Sequence, residues 1–147
     1  MQLREAHVDD IPDLHRIRVA VRENRLSDPG RITPADYMEF LFERGRGWVT
    51  LAGEVITGFA IVDLSANNVW ALFVDPLFER QGFGLALHDQ MLDWYFRQTK
   101  ATLWLGTSPG TRAESFYEAC GWNRIGLQPD GELRFEMSYD QWNAPEA

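Results

Sequence analysis

The stretch from residue 69 to residue 95 constrains this chain more than any other part of it. An apolar run, Val69–Val74, is followed by a loop that contains Gly82 and Gly84. Apolar residues at the three- and four-residue spacing of a helix come next: Leu85, Leu87, Met91, Leu92 and Tyr95. A strand, a glycine loop and a helix start in this order present free backbone N–H groups and the positive end of a helix dipole. The stretch therefore predicts a binding site for a phosphate-bearing ligand.

The composition places this site in an ordinary globular protein. We expect the 147 residues to form a single domain, 1–147, which is large enough to bury about 70% of the surface of the unfolded chain. No run approaches the length of a membrane-spanning helix, and the N-terminus lacks the apolar core of a signal peptide. We therefore expect a cytoplasmic protein that has no membrane partner.

The net charge and the few cysteine and histidine residues limit which partners and metals the chain can bind. The formal net charge of −8 argues against nucleic acid, whose phosphates need a basic surface, and it favours a cationic substrate by electrostatic steering. The single cysteine, Cys120, excludes an intrachain disulfide and fits a reducing compartment. His7, His15 and His88 show no paired ligand spacing, so we expect no metal site.

The remaining pattern predicts an α/β protein with the element order β-α-α-β-β-β-α-β-α-β-β and helices on both faces of a sheet. Beside the helix after Gly84, helices are expected from Asp9-Asp10, after the N-cap Thr33, and over Thr111–Cys120. The expected strands lie at 2–6, 48–52, 55–64, 69–74, 102–105, 122–127 and 132–139. Residues 24–32 are expected to form a loop, and the polar tail after residue 139 is expected to fray.

Two phosphate-binding motifs can be excluded for the loop before the helix. A P-loop ends in Gly-Lys-Ser/Thr, and this tripeptide does not occur in the chain. A dinucleotide fingerprint needs a small residue three positions after Gly84, where the chain has Leu87, and it belongs to a first βαβ unit. The structural alternative is that Gly82 and Gly84 only form a tight strand-to-helix turn.

Two motifs in the second half of the chain carry a resemblance to a known family. The first joins Val74-Asp75-Pro76 to the loop 79–84, ERQGFG, and the second is the segment 113–122, AESFYEACGW. In this order they resemble the Val-x-Pro, Gln/Arg-x-x-Gly-x-Gly/Ala and Ala-x-x-Phe-Tyr-x-x-x-Gly-Phe motifs of the GNAT superfamily of acyl-CoA-dependent N-acyltransferases. The element order matches as well, so the resemblance covers almost the whole chain. It implies a GNAT-like α/β (α+β) fold, with a mixed, mostly antiparallel central sheet of about seven strands and helices on both faces.

The resemblance implies acetyl-CoA as the cosubstrate, without a metal, and it assigns roles to residues. The Leu72 amide would polarise the thioester carbonyl, while Leu72 and Val74 pair with the acetyl and pantetheine parts. Tyr117, whose ordinary pKa of about 10 lies near the value of about 8.5 for a thiol, would protonate the departing thiolate. The resemblance thus makes Tyr117 and Leu72 the catalytic residues. The residues expected to bind the cofactor are Leu72, Phe73, Val74, Glu79, Arg80, Gln81, Gly82, Phe83, Gly84, Leu85, Gly110 and Tyr117.

Two positions depart from the family pattern. Glu79 stands where Gln or Arg is usual, and a carboxylate beside a diphosphate is repulsive unless it points away. Gly110 stands where many members have an Asn that contacts the pantetheine arm, so we expect that contact to be absent or to run through the backbone.

The acceptor pocket is expected between the first two helices and the last strand pair, again by the resemblance. Trp70 is included because it lies two residues before Leu72. The residues expected to bind the acceptor are Glu23, Asn24, Asp28, Trp70 and Glu136. The candidates for a general base are Glu23, Asp28, Asp63 and Glu136, and nothing in the sequence selects one of them. A homodimer is a further expectation from the family.

Two functions stay open at this stage. The first is an N-acetyltransferase that moves an acetyl group from acetyl-CoA directly to a primary amine of a small molecule, a peptide or a protein. The second is a non-catalytic acyl-CoA-binding or sensing module, which Glu79, Gly110 and the missing base favour. Retention of Tyr117 favours the enzyme.

Overall fold

The structure is a computed structural model that describes residues 2–21 and 32–144. Its strands are β1 (Gln2–Glu5), β2 (Gly45–Ala52), β3 (Val55–Asp63), β4 (Asn68–Val74), β5 (Leu103–Thr107), β6 (Asn123–Leu127) and β7 (Leu133–Met137). Its helices are α1 (Ile11–Ala20), α2 (Pro34–Met38), α3 (Phe83–Gln98), α4 (Arg112–Ala119) and α5 (Tyr139–Trp142). Short 3-10 turns, Val8–Asp10 and Pro76–Phe78, precede α1 and follow β4, and a π-helical turn, Glu39–Glu43, follows α2.

The strands form one sheet of seven in the order β1-β2-β3-β4-β5-β7-β6. Every neighbouring pair is antiparallel except β4 with β5. The predicted sheet, mixed and mostly antiparallel, is therefore confirmed. The two meander turns are tight because Gly53 and Asn67 adopt positive φ angles of 63° and 56°.

Helices cover both faces of the sheet, as predicted. Successive residues of β3 point to opposite faces, so Phe59 packs with α1 and α2 while Ala60 packs with α3. Each buried side chain of the size of Phe59 stabilises the fold by about 1.5–3 kcal/mol. We call the two sides the α1/α2 face and the α3/α4 face.

Local sequence signals explain where the helices begin. The Thr33 hydroxyl accepts from the Asp36 amide, and the Asp36 carboxylate accepts in return from the Thr33 amide at 2.7 Å, a complete capping box. Asp10 binds Arg4 at 2.8 Å and accepts from the His7 amide at 2.7 Å, which orders the entry to α1. Thr111, predicted as the first residue of the last helix, is the N-cap of α4.

The main differences from the sequence-based boundaries lie at the second helix, at two strand ends and in the tail. The second helix is shorter than predicted, because a π-helical turn replaces its last part. β2 begins at Gly45 and β5 extends to Thr107, since glycine-containing ends still pair with β3 and β7. The predicted frayed tail is wrong for residues 140–142, and the predicted last strand is wrong at Tyr139, because the Ser138 side chain caps a one-turn helix, Tyr139–Trp142. Most of the predicted loop 24–32 lies outside the described residues.

No helix among residues 2–21 and 32–144 is long and apolar enough to cross a membrane.

Candidate functional site

β4 and β5 run parallel but pair only where they start. The register joins Asn68 to Trp104, and the Trp104 amide donates to the Asn67 carbonyl at 3.0 Å. The Trp104 indole also donates to the Ala66 carbonyl at 3.0 Å. Beyond this closed end the strands separate, and a cavity of about 550 Å³ opens between β4, β5, the start of α3 and the start of α4. We call this cavity the wedge.

A β-bulge at Trp70 accompanies the separation of the strands. Val69 and Ala71 face adjacent residues of β3, so Trp70 is an extra residue in β4. Bulges bend a strand and increase its twist, which turns β4 away from β5. The bulge also puts the Trp70 side chain on the α1/α2 face, stacked on Phe40 at 4.3 Å, while Leu72 packs on the α3/α4 face. Simple alternation had implied one shared face for the two residues.

The hydrogen bonds of β4 determine where its backbone groups point. The Asp75 amide donates to the Thr57 carbonyl at 2.8 Å, in the register that pairs β4 with β3. Because bonded positions alternate along an antiparallel ladder, the N–H and C=O groups of Leu72 and Val74 point away from β3. They therefore face the wedge, at positions where β5 has ceased to pair with β4.

α3 begins at the rim of the wedge with unpaired backbone donors. Its N-cap, Gly82, has a φ of 86°, a conformation that glycine adopts without strain. The first intrahelical hydrogen bond runs from the Ala86 amide to the Gly82 carbonyl at 3.1 Å. The amides of residues 83–85 thus have no acceptor within the helix, and they lie at the positive end of its dipole. This arrangement suits a phosphate group.

Glu79 forms an ion pair across the rim of the wedge. Arg112, in the first turn of α4, places Nη1 2.5 Å from Oε2 of Glu79 and donates from Nη2 to Oε1 at 2.6 Å. This two-point contact ties the loop before α3 to the start of α4. It also neutralises the carboxylate that departs from the family pattern.

Tyr117 lines the wedge from α4 and is only 6% exposed. Its ring packs edge-on against Phe116 at 5.3 Å and Trp122 at 5.5 Å. Burial raises the pKa of Tyr117 above its ordinary value, so the phenol keeps its proton at neutral pH. Within the described residues its hydroxyl has no hydrogen-bond partner, which leaves the proton available to a ligand.

A carboxylate and a guanidinium line the wedge on the opposite, α1/α2 face. Leu105 packs on the α3/α4 face, so Gly106 faces the other side, where Oε2 of Glu132 lies 3.4 Å from the position that a Cβ would take. Burial, and then the charge of Asp130, raises the pKa of Glu132. Arg18 of α1 lines the same cavity.

A sequence profile of the acetyltransferase (GNAT) family matches residues 11–122, more than half of the chain. The chain belongs to the GNAT acetyltransferase family. A curated relative, the [ribosomal protein bS18]-alanine N-acetyltransferase of Escherichia coli (strain K12), is 33% identical over 76 residues, which are 50% of this chain and 51% of that relative. This GNAT chain thus spans about half the length of the curated relatives it matches.

Solved structures agree with the GNAT fold. The crystal structure of the ribosomal-protein-S18-alanine N-acetyltransferase from Escherichia coli has a TM-score of 0.72 and 23% identity, over 92% of this chain and 90% of that one. The PaiA N-acetyltransferase from Thermoplasma acidophilum, solved in complex with coenzyme A, has a TM-score of 0.70 and 15% identity, over 94% of this chain and 98% of that one. At these identities the likenesses show the fold alone.

The structure brings most of the residues predicted for this GNAT site to one cavity. Those that line the wedge are Trp70, Leu72, Phe73, Val74, Glu79, Arg80, Gly82, Phe83, Gly84 and Tyr117. Those outside its lining are Gln81, Leu85, Gly110 and Glu136. Glu23, Asn24 and Asp28 lie outside the described residues, and their assignment stays a prediction.

Two of the carboxylates considered as a general base have partners outside the wedge. Asp63 is buried, binds Arg44 at 2.7 Å and accepts from the Ser65 amide at 2.9 Å, so it holds the turn after β3. Glu136 pairs with Arg134 at 2.9 Å on β7. Sequence reasoning missed Glu132, which has no local signal because its position over Gly106 depends on the pairing of β5 with β7.

Sequence reasoning also missed Arg18, for which a signal exists. Arg18 lies four residues after Leu14, so it falls on the apolar side of the predicted first helix, before the polar segment that follows this helix. A cation at such a position is buried when the helix packs. Among residues 2–21 and 32–144, no group of three or more His, Cys, Asp and Glu is arranged to hold a metal ion.

Proposed function

We propose that this protein is an N-acetyltransferase that moves an acetyl group from acetyl-CoA directly to a primary amine of a small molecule, a peptide or a protein. The observation that carries the proposal is the convergence of three unpaired groups on the wedge. They are the outward backbone of β4, the free amides at the start of α3, and the Tyr117 hydroxyl. Family membership supports the reaction type. The curated relative is a ribosomal-protein-alanine N-acetyltransferase, which supports a peptide amine as one acceptor class.

The start of α3 fits the diphosphate of CoA. Free amides of residues 83–85 donate to phosphate oxygens, and the helix dipole adds a positive potential. The Glu79 carboxylate beside this helix start is paired with Arg112, so its negative charge is balanced. The separation of β4 from β5 leaves a slot for the pantetheine arm beside the backbone groups of Leu72 and Val74.

β4 then orients the thioester. The Leu72 amide donates to the thioester oxygen and stabilises the negative charge that develops there as the amine attacks. When acetyl-CoA is bound, its thioester supplies an activated acetyl carbon and a thiolate leaving group. Tyr117 donates its proton toward the sulfur as the C–S bond breaks, while the new C–N bond forms and the nitrogen loses one proton.

We assign the acceptance of the amine proton to Glu132. An alkyl amine is protonated at neutral pH, because its pKa is about 10. It therefore gives one proton to Glu132 before it attacks, and the second proton, which the nitrogen loses as the amide forms, restores the Tyr117 phenol. A carboxylate whose pKa is raised by burial is a stronger base than an exposed one, and Glu132 lies on the α1/α2 face from which an amine can approach.

Calorimetry and thiol detection test the proposal together. We expect acetyl-CoA to bind, and free thiol to appear when a panel of primary amines is added. Binding without turnover on any amine would favour the non-catalytic acyl-CoA-binding module. Failure to bind CoA at all would contradict both functions.

We also propose a cytoplasmic location, a single domain and a homodimer. The edge strand β6 carries exposed Ile125 and Leu127, 53% and 70% accessible, which supports a contact with a second copy. Light scattering of the purified protein decides between a monomer and a dimer.

A further inference from the structure

Arg18 is a buried cation that interacts with the Tyr37 hydroxyl but leaves two of its three side-chain nitrogens without a partner in the described residues. The residue is 9% exposed and lines the wedge. Its Nε and Nη2 atoms are sealed from bulk water and have no hydrogen-bond partner among residues 2–21 and 32–144. Burial lowers the pKa of Arg18, but an arginine stays protonated at neutral pH. In the part of the chain that the structure describes, no carboxylate pairs with this positive charge, which is costly to bury unless something compensates it.

Other arginines near α1 are paired. Arg4 binds Asp10 at 2.8 Å, and Arg16, two residues before Arg18, binds Asp75 at 2.8 Å. Arg18 instead faces aromatic rings, with its guanidinium carbon 4.6 Å from the Trp70 ring centre and 5.0 Å from that of Phe73. Such contacts use the flat faces of the guanidinium. They leave the N–H groups at its edge unused.

The two unpaired nitrogens form one edge of the guanidinium. The N–H bonds of Nε and Nη2 on this edge are parallel, which is the geometry that binds a carboxylate through both oxygens. The Arg18 guanidinium lies on the α1/α2 face of the wedge, opposite the start of α3 and Tyr117. Trp70 lies beside it, and Glu132, which precedes β7 and faces Gly106 of β5, lines the other side of the wedge.

We propose that Arg18 binds a carboxylate of the acceptor, and that the acceptor is a small aminocarboxylate. The inference rests on the proposed function and adds the acceptor class to it. One molecule with an ammonium and a carboxylate matches the opposite charges of Glu132 and Arg18. Such a zwitterion carries no net charge, so the net charge of −8 does not repel it as it would a simple anion.

The test compares amino acids with their matched carboxamides as acceptors, using thiol release from acetyl-CoA. We expect the wild type to prefer the acid in kcat/KM by about ten-fold or more, as for a charged hydrogen bond. Arg18→Met should raise the KM of the acid by about the same factor and leave the amide unaffected. Arg18→Lys, which keeps the charge but loses the two-point edge, should fall between them. Arg97→Met, an exposed position on α3 paired with Asp93, is the matched control.

A second readout separates recognition from a merely structural role. Because an unpaired buried charge is removed, Arg18→Met should keep or raise the melting temperature of the protein without ligands. Calorimetry of amino acids into the CoA-saturated wild type should show binding that Arg18→Met loses.

The outcomes distinguish this inference from the proposed function. Equal use of acids and amides, or a preference for neutral or phosphorylated amines, overturns the role of Arg18 while the acetyltransferase stands. No binding of any aminocarboxylate overturns it as well, with or without turnover. CoA binding and amino-acid binding without thiol release would instead contradict the acetyltransferase and leave the carboxylate site in place.

Discussion

Tyr117 is a buried packing residue that we also propose as a proton donor. Its ring fills the space between Phe116 and Trp122, and its hydroxyl reaches the wedge. The raised pKa moves the phenol away from the thiol value of about 8.5, so full proton transfer costs more than the ordinary values imply. The phenol is therefore suited to donate as the sulfur becomes negative, rather than to hold a phenolate beforehand.

We expect Tyr117→Phe to lower kcat by about 10²- to 10⁴-fold, because phenylalanine keeps the ring and removes only the proton donor. The dissociation constant for acetyl-CoA, measured by calorimetry, should change little. Tyr139→Phe, outside the wedge, serves as the control. An unchanged kcat in Tyr117→Phe would remove Tyr117 from the mechanism.

Glu132 leads to a prediction on pH dependence. The amine is activated only while the carboxylate is ionised, so kcat/KM should fall as the pH drops through the pKa of Glu132. That pKa is raised by burial, and the acid limb should therefore lie above the ordinary range for a glutamate. Glu132→Gln should lower kcat/KM at neutral pH and abolish this limb. Asp130→Asn, which removes a charge that also raises the pKa of Glu132, should keep the acid limb and move it to lower pH, whereas an unchanged acid limb in Glu132→Gln contradicts the assignment.

At the scale of elements, the start of α4 supports the loop before α3. If the Glu79–Arg112 pair balances a carboxylate beside the diphosphate, Arg112→Ala should weaken CoA binding by about three- to ten-fold. Glu79→Gln in the same chain should restore most of that affinity, because the repulsive charge is then gone. Calorimetry on the two single variants and the double variant measures the coupling. A double variant as weak as Arg112→Ala would show that Arg112 contacts the cofactor itself.

The elements were predictable where their signals are local. Thr33 caps its helix as expected, α4 begins within one residue of the predicted Thr111, and the seven strands follow from alternation between turn residues. Features that depend on distant contacts were not predictable. The bulge at Trp70 is defined only against β3, and Glu79 meets Arg112 from 33 residues away. The site residues divide in the same way: backbone roles follow from a motif, while Arg18 and Glu132 reach the wedge through tertiary packing.

For the whole molecule, the wedge follows from the topology. The sheet has one parallel pairing, and it joins the β1–β4 meander to the β5–β7–β6 unit. Because α3 connects β4 to β5 across one face, its start lies at the open end of the gap between them. The parts of the molecule that we propose for the phosphate, the thioester and the acceptor thus meet where the two halves of the sheet separate.

The same helix carries a buried histidine that couples overall stability to pH. His88 is 1% exposed, and its Nε2 accepts from the Trp122 indole at 2.9 Å. Since an indole can only donate, Nδ1 holds the proton and donates to Asp89 at 2.9 Å. Burial lowers the pKa of His88, and protonating Nε2 would break its bond to Trp122. The folded protein therefore keeps this histidine neutral.

Stability should fall as the pH drops below about 6.5, the pKa of an unfolded histidine. Below that value the unfolded chain binds a proton at His88 that the folded protein does not bind. The free energy of unfolding therefore falls by at most about 1.4 kcal/mol per pH unit until His88 is protonated in the folded protein as well. For a chain of this length, 1 kcal/mol lowers the melting temperature by about 2–4 °C. Thermal unfolding of His88→Gln, which retains an acceptor for Trp122, should show a flatter slope between about pH 5 and 7. His7→Gln, at an exposed position, should keep the wild-type slope, and equal slopes in all three proteins would show that His88 does not limit stability in acid.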